Sequence, residues 1–544
     1  MESFKVYSSL AGAFAAGATC CYLLINRLKT FDQPTPRAAP AHPRAAQQTT
    51  TDAGEDVKTS SLVSLYDATD PADFRQAATC LVDWIIQYRR KCRDMPVLST
   101  VPHNYLKDML PTSAPRSPDS WKDIFADLEA KILPGLVHWE ASNRFFAYFK
   151  PHSSFPAVLG ELLCAGLNVQ GFDWVAAPAC TELEVVVLDW LGKILHLPDK
   201  FLSASAGPGG GVIQGSAGEA AVVCLLAAVH RYCDTNSRPF MARRDNMVVY
   251  ASDQTHTIIR KACRILGLRL VVVPTERVYG YSLQARALEQ AIRKDLSAGL
   301  KPVCAVATPG TTSSCAFDDL TGIGLVCKKM GVWMHVDAAY GGAYACLPEL
   351  QHLFRGLEQA DSVCVNAHKK LLCPFDLSAL FVADRHPLLQ ALSVDSEYLR
   401  NEHSESGAVV DYENWQLPLG RRFRALKLWF VLRRFGEEGI RDHVRRGVSL
   451  RQLVQARMAE DKRFELAAPP SLSLLCFRLA GEGDSTQQQL LQAVKQTGKC
   501  FIIHTKLSGA VVLRFACGGI EQTEADVLDA WQVISDTATA VLKL

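Results

Sequence analysis

No CxxC pair occurs among the eighteen cysteines of this chain. That absence removes the usual spacing of a zinc site or a redox pair. The cysteines lie instead in apolar stretches, as at Cys224, Cys304, Cys364 and Cys517. A reduced thiol there serves as a small hydrophobe, which points to a cytosolic or organellar enzyme and away from a disulfide scaffold. An excess of one charge is missing too: 58 Lys+Arg against 56 Asp+Glu leave a formal +2 over 544 residues. That balance argues against a partner such as nucleic acid or an acidic polymer. At 48% hydrophobic and 21% charged, the chain is too apolar for a disordered protein and too charged for a polytopic membrane protein.

The longest uncharged run, residues 6–26 (VYSSLAGAFAAGATCCYLLIN), is bounded by Lys5 and by Arg27 and Lys29, and is just long enough to span a bilayer. Its Ala, Gly and Ser content makes it weakly hydrophobic, so three readings stand: a single anchor, slightly ahead, a cleaved signal or organelle-targeting segment, or an apolar terminus. As an anchor, its heavier positive flank would leave the catalytic body in the cytoplasm. Residues 33–60 are rich in Pro, Ala and Thr without an apolar period and read as a linker.

From about 150 to 385, short β-branched runs alternate with amphipathic stretches. The runs are NMVVYAS, RLVVVP, PVCAVAT, VWMHVD, SVCVN and ALFVA; HTIIRKACRILG, LQARALEQAIRKDL and LTGIGLVCKKMG lie between them. This alternation predicts an α/β fold with a mostly parallel sheet covered on both faces. After residue 430, helices and an antiparallel FIIHTKL/AVVLRFA pair predict a small α+β domain. No internal repeat is present.

Ligands of such a sheet sit beyond the carboxyl ends of its strands. Three elements fall there. GPGGGVIQGSAGEA (207–220) feeds a helix, and Ser216, Ala217 and Gly218 could cradle a phosphate on backbone amides; a plain tight turn fits as well. His335 and Asp337 share one face at the end of VWMHVD. Asp337 could pair with a cationic nitrogen or merely cap, and no further ligand spacing supports a metal. Lys369 and Lys370 follow SVCVN, where a lysine in an apolar pocket could form a Schiff base, although a solvated turn is the commoner outcome. A phosphate cradle, an acidic residue and an amine together are what pyridoxal 5'-phosphate requires.

Longer strings go further: FFAYF, GFDW then APACTELE, DWLGK, GVIQGSAGEA, YASDQTH, ATPGTT then FDD, HVDAAY, NAHK, and DYENWQLPLGRRFRALKLWFVLR. From about residue 60 onward the chain resembles the group II pyridoxal-phosphate decarboxylases, most closely the aromatic-L-amino-acid decarboxylases. The resemblance implies fold type I and, after the 1–60 anchor or targeting segment plus linker read from composition, three segments: 61–152 helical dimerisation segment, 153–426 cofactor domain, and 427–544 small domain. It implies that Lys369 carries the cofactor, Asp337 pairs with the pyridine nitrogen, Ala339 lies near the ring and His256 stacks on it. Ser216, Ala217, Gly218, Thr312, Asn366 and His368 would surround phosphate or ring. Trp139, Tyr148 and Phe149 would wall the aromatic substrate pocket, with Phe172 supplied by the other subunit of a homodimer. Tyr398, in EYLRNEHSESG, falls on the family's catalytic loop tyrosine, which Arg421 and Asp411 flank.

The implied reaction is decarboxylation of tyrosine, DOPA, tryptophan or phenylalanine to the amine and CO2. Gly420 argues against histidine as substrate, because histidine decarboxylases carry serine there. The rivals are an aromatic aldehyde synthase, against which Tyr398 speaks, and a membrane-tethered scaffold without catalysis, against which Lys369, Asp337 and His256 speak. Several positions depart from the family pattern. Lys150-Pro151 replaces Pro followed by Thr or Ser, Lys370 replaces Trp, Gly218 replaces a residue with a side chain, Gln170 replaces an aliphatic, and one residue is added between Trp139 and Tyr148.

Overall fold

The computed structural model describes residues 70–240, 244–394, 402–405 and 409–543. The run 6–26, the linker and Tyr398 lie outside them. Among the described residues, no helix is long and apolar enough to cross a membrane. From Ala72 onward the chain forms one compact unit.

Its centre is a seven-stranded sheet of β1 (Gly210–Gln214), β2 (Met247–Ser252), β3 (Arg269–Val273), β4 (Lys301–Ala307), β5 (Trp333–Asp337), β6 (Ser362–Asn366) and β7 (Ser378–Val382), ordered β1-β7-β6-β5-β4-β2-β3. Every pairing is parallel except those of β7, which runs against both β1 and β6. The apolar runs read from the sequence become β2 to β7. The first strand does not look like one in sequence, because GGVIQ reads as part of a glycine-rich turn.

The strands are apolar without alternation because both faces are covered. Met247, Val249 and Ala251 enter one hydrophobic cluster, while Val248 and Tyr250 enter the other. On the first face lies α4 (Ala217–Thr235), whose alanines, valines and Cys224 are small enough to let the helix press onto the sheet. Earlier helices are α1 (Pro71–Lys91), α2 (Phe155–Leu167) and α3 (Pro178–Ile194); α5 (Thr257–Leu266), α6 (Ala285–Ser297) and α7 (Leu320–Met330) follow α4. Helices α5 and α7 stop at Gly267 and Gly331, both in the left-handed region that glycine enters without a Cβ penalty.

The long helix α8 (Ala425–Glu460) kinks at Gly436, φ 65°, and leads into a second sheet. That sheet comprises β8 (Phe464–Leu466), β9 (Leu474–Leu479), β10 (Ile503–Leu507) and β11 (Ala510–Ala516), all antiparallel, with α9 (Asp484–Gln496) and α10 (Glu524–Leu542) packed on it. The anticipated β10/β11 hairpin turns on Ser508-Gly509, both at positive φ, as a two-residue hairpin loop requires.

Candidate active site

Beyond the carboxyl ends of the six strands that share a direction, the loops enclose a cavity of about 520 Å³. That lies in the range of roughly 300–1,000 Å³ usual for small-molecule sites. Most of the wall continues strands. β1 delivers Ser216, Ala217 and Gly218; β2 delivers His256; β4 delivers Thr308 and Thr312; β5 delivers Asp337 and Ala339; β6 delivers Asn366, His368 and Lys369. The structure therefore brings together every residue expected to touch the cofactor.

The floor is the start of α4. Ser216 is its N-cap: its Oγ accepts from the Glu219 amide at 3.2 Å, and the Glu219 carboxylate accepts from the Gly215 amide at 2.9 Å. The S-x-x-E spacing could have been read as a capping box in the sequence. As at any helix start, the amides of Ala217 and Gly218 have no carbonyl one turn back, and the helix end favours an anion. A Cβ on Gly218 would meet only Ser216 Oγ, at 3.4 Å, so space alone does not demand glycine there.

Asp337, 4% exposed, accepts from the Ala339 amide at 3.2 Å. Lys369 is largely enclosed, and burial pushes its ammonium below the usual lysine range while the Asp337 carboxylate opposes the shift. His256 caps α5 through its ring Nδ1, which accepts from the Ile258 amide at 3.2 Å. Burial first, and then Lys369, lower its pKa against the pull of Asp337, so its ring is neutral near pH 7. His368 accepts from the Leu377 amide at 3.1 Å and is pushed down to about 4, chiefly by burial. Asn366 Oδ1 accepts from Ser378 Oγ at 2.7 Å, closing the base of the loop that carries Lys369. His335 points elsewhere, bonding Ser362 Oγ at 2.9 Å, with burial holding it at about 4.

The expected substrate-pocket aromatics do not line this cavity in one chain. Trp139 and Tyr148 stack at 5.2 Å, and Phe149 stacks on Tyr340 at 3.5 Å, placing Phe149 directly behind the wall. Phe172 lies away from the wall, its carbonyl accepting from the Glu413 amide at 2.8 Å. Residues that sequence reasoning missed include Tyr340, Thr308, Phe375 and Leu417. Thr308, Tyr340 and Leu417 stood inside the strings ATPGTT, HVDAAY and DYENWQLPLGRRFRALKLWFVLR without being singled out, and Phe375 comes from an irregular segment with no periodic signal.

Pyridoxal phosphate asks for an anion nest, an acidic partner and an amine, and the cavity supplies each. The buried Thr308 Oγ1, with no partner, adds a spare hydroxyl on the same wall. The residues present fit the group, and fold and cavity together define a fold type I pyridoxal-phosphate enzyme. The chain belongs to the pyridoxal-dependent decarboxylases: the model of the "pyridoxal-dependent decarboxylase conserved domain" matches residues 102–480. It is 45% identical to tyrosine decarboxylase 2 of Narcissus pseudonarcissus over 87% of this chain and 95% of that one. It is 43% identical to phenylacetaldehyde synthase of Arabidopsis thaliana, covering 87% and 97%. The crystal structure of Oryza sativa TDC with PLP and tryptamine superposes with a TM-score of 0.84 at 37% identity, covering 87% and 98%. The protein is thus a carboxy-lyase whose cofactor is pyridoxal 5'-phosphate.

Proposed function

We propose that the protein removes the carboxylate of an aromatic L-amino acid as CO2 and releases the amine. The observation that carries this reading is the convergence of Lys369, Asp337 and His256 on one cavity floored by the start of α4. Relatives named for tyrosine decarboxylation, and a neighbour solved with tryptamine, support an aromatic substrate.

Bound pyridoxal phosphate supplies the electron sink for the pair left when the bond from Cα to the carboxylate breaks. The chain's own groups do the rest. Ser216, Thr308, Thr312 and the amides of Ala217 and Gly218 would hold the phosphate, and Asn366 and His368 fix the loop beside it. Burial keeps the Lys369 amine readily deprotonated and hence nucleophilic. Asp337 would hold a proton at the pyridine nitrogen, since a carboxylate beside that nitrogen favours its charged form. The neutral ring of His256 would cover the open face and exclude water, and Ala339 leaves room opposite it. Trp139, Tyr148 and Phe149 would form the aromatic side of the substrate site.

We assign the completion of that site to a second copy of the chain, which would bring in Phe172. Helix α2 leaves Phe155, Leu159, Leu162, Leu163 and Leu167 exposed, and only Ala77 of α1 is buried. Exposed apolar helix faces of this kind are of the sort that a second subunit covers, which supports the assignment. Residues 1–60 precede the matched region and are assigned to location, not to catalysis.

The relative named as an aldehyde synthase keeps one rival reading in view, oxidative deamination after decarboxylation. Incubation of purified protein with tryptophan, tyrosine, DOPA and phenylalanine, with assays for amine, aldehyde and peroxide, separates the two. Amine matching CO2 is expected; aldehyde and peroxide as main products would give the function to the rival.

A further inference from the structure

Behind the wall that carries Lys369, four distant segments bring a set of ionisable groups into one enclosed cluster. Lys150 is 7% exposed and Lys370 2%. The Lys370 ammonium donates to the Gly518 carbonyl at 2.8 Å. The Lys150 ammonium lies 4.0 Å from Glu140 Oε2, and neither atom has a hydrogen-bond partner. Glu140 Oε1 already accepts from the Ile520 amide at 2.8 Å. Arg446 fills the carbonyls of Gly519 and Ile520, and His443 bonds His152 at 3.0 Å.

The cluster is built for its two ammonium groups. A Cβ on Gly518 would lie 2.1 Å from Lys370 Nζ, one on Gly447 2.9 Å from the same atom, and one on Gly519 2.5 Å from Lys150 Nζ. A side chain at Gly518 or Gly519 would crowd a lysine's terminal nitrogen, and one at Gly447 would meet Ser473 Oγ first, at 2.7 Å. Both lysines also stand among the departures from the family pattern noted above, and neither touches the cavity.

Donors outnumber acceptors here. Each ammonium carries three N–H bonds, and among the described residues the pair's direct oxygen partners are the Gly518 carbonyl and one oxygen of Glu140, with Asp526, Cys517, His152 and His443 at the border of the cluster. With Lys370 protonated, positive charge is in surplus as well, Lys150, Lys370 and Arg446 being set against Glu140 and the more distant Asp526. A buried cation is tolerated only when it is paired and hydrogen-bonded, and an acceptor that carries one negative charge answers both deficits.

We propose that Lys150 and Lys370 form a binding site for one small monovalent anion, either a halide or the hydrogencarbonate that follows from the CO2 this enzyme releases. The bound anion would tie the segment around Lys150 and the turn Ala367–Lys370 to the Gly518-Gly519 backbone, and so brace the turn that presents Lys369.

The test measures thermal unfolding of the holoenzyme in gluconate buffer, with chloride in one arm and hydrogencarbonate in the other replacing gluconate at fixed pH and ionic strength. Binding to the native state alone gives a saturable rise in midpoint, here about two to four degrees. A rise in either arm identifies the source, and its loss in Lys150→Met and Lys370→Met places the site. A bromide-soaked crystal of the unaltered protein should show an anomalous peak against the two ammonium groups, which keeps the test independent of variants that fail to fold. Midpoints indifferent to both anions, variants that keep the full rise, or a crystal with no bromide between these lysines would overturn the proposal.

Discussion

Arg421 and Glu184 meet at 2.7 Å with their side chains 0% and 1% exposed. The same Glu184 oxygen accepts from the Ile213 amide at 2.8 Å, and Arg421 donates to the Ile213 carbonyl at 3.1 Å. One ion pair thus pins α3 and the segment before α8 to β1, the strand that aims Ser216 at the cavity. Removing one partner strands the other charge in a dry interior, which typically costs about 3–5 kcal/mol. Glu184→Ala should therefore lower the denaturant midpoint sharply, and a change within experimental error would show that the pair is dispensable.

Lys369→Ala should purify without the visible absorbance of bound cofactor, and borohydride reduction of the unaltered protein should label Lys369. Label on Lys370 is the outcome that contradicts the assignment, and the geometry speaks against it, because Lys370 faces Gly518 instead of the cavity. Asp337→Asn should fold and bind cofactor yet lose roughly 10²–10³-fold in kcat, the scale of removing one preorganised electrostatic partner.

Stability should depend on pH through Lys370. Burial, opposed by Glu140 and reinforced by Lys150, lowers its ammonium to about 7; Cys517, Arg446, His152 and His443 also face the cluster. The unfolded chain keeps this lysine charged to above pH 10, so from about pH 7 upward the unfolded state binds more protons than the native state. Stability must then rise with pH across that window, and below it the folded protein carries the full cost of a buried charge. Denaturation of Lys370→Met should lack that rise of a few kcal/mol and show greater stability than the unaltered protein below pH 7. Parallel pH profiles for the two proteins would refute the account.

Tyr398 lies outside the described residues, so its role rests on the family resemblance and on chemistry. A phenol can hand a proton to Cα, and without that proton the competing reaction with oxygen gains. Tyr398→Phe should lose amine and gain aldehyde, ammonia and peroxide, read by product analysis under air. Unchanged amine output would remove Tyr398 from the reaction.

Legibility in the sequence followed the range of the forces involved. β2 to β7 were readable because a strand buried on both faces must be continuously apolar; Lys369 and Asp337 became candidates because each follows or ends such a run, and Ser216 because it opens a helix after a glycine-rich turn. β1 was not, since GGVIQ becomes a strand only by pairing with β7 across more than a hundred residues. Tyr340, Phe375 and Leu417 reach the cavity through loops whose course tertiary packing sets. The meeting of Glu140, Lys150, Lys370 and Gly518 was hidden for the same reason: each looks ordinary locally, and Lys370 reads as a solvated turn residue until the chain closes around it.

Sixteen cysteines fall among the described residues, all free, and all but Cys80 buried. They sit in separate layers, Cys224, Cys304 and Cys364 around the large sheet and Cys500 and Cys517 around the small one. A thiol reacts only when it is uncovered and ionised, so each buried one stays silent until its own layer breathes. The molecule therefore carries a distributed set of alkylation clocks. Their order of ticking, residue by residue, would reveal which layer opens first.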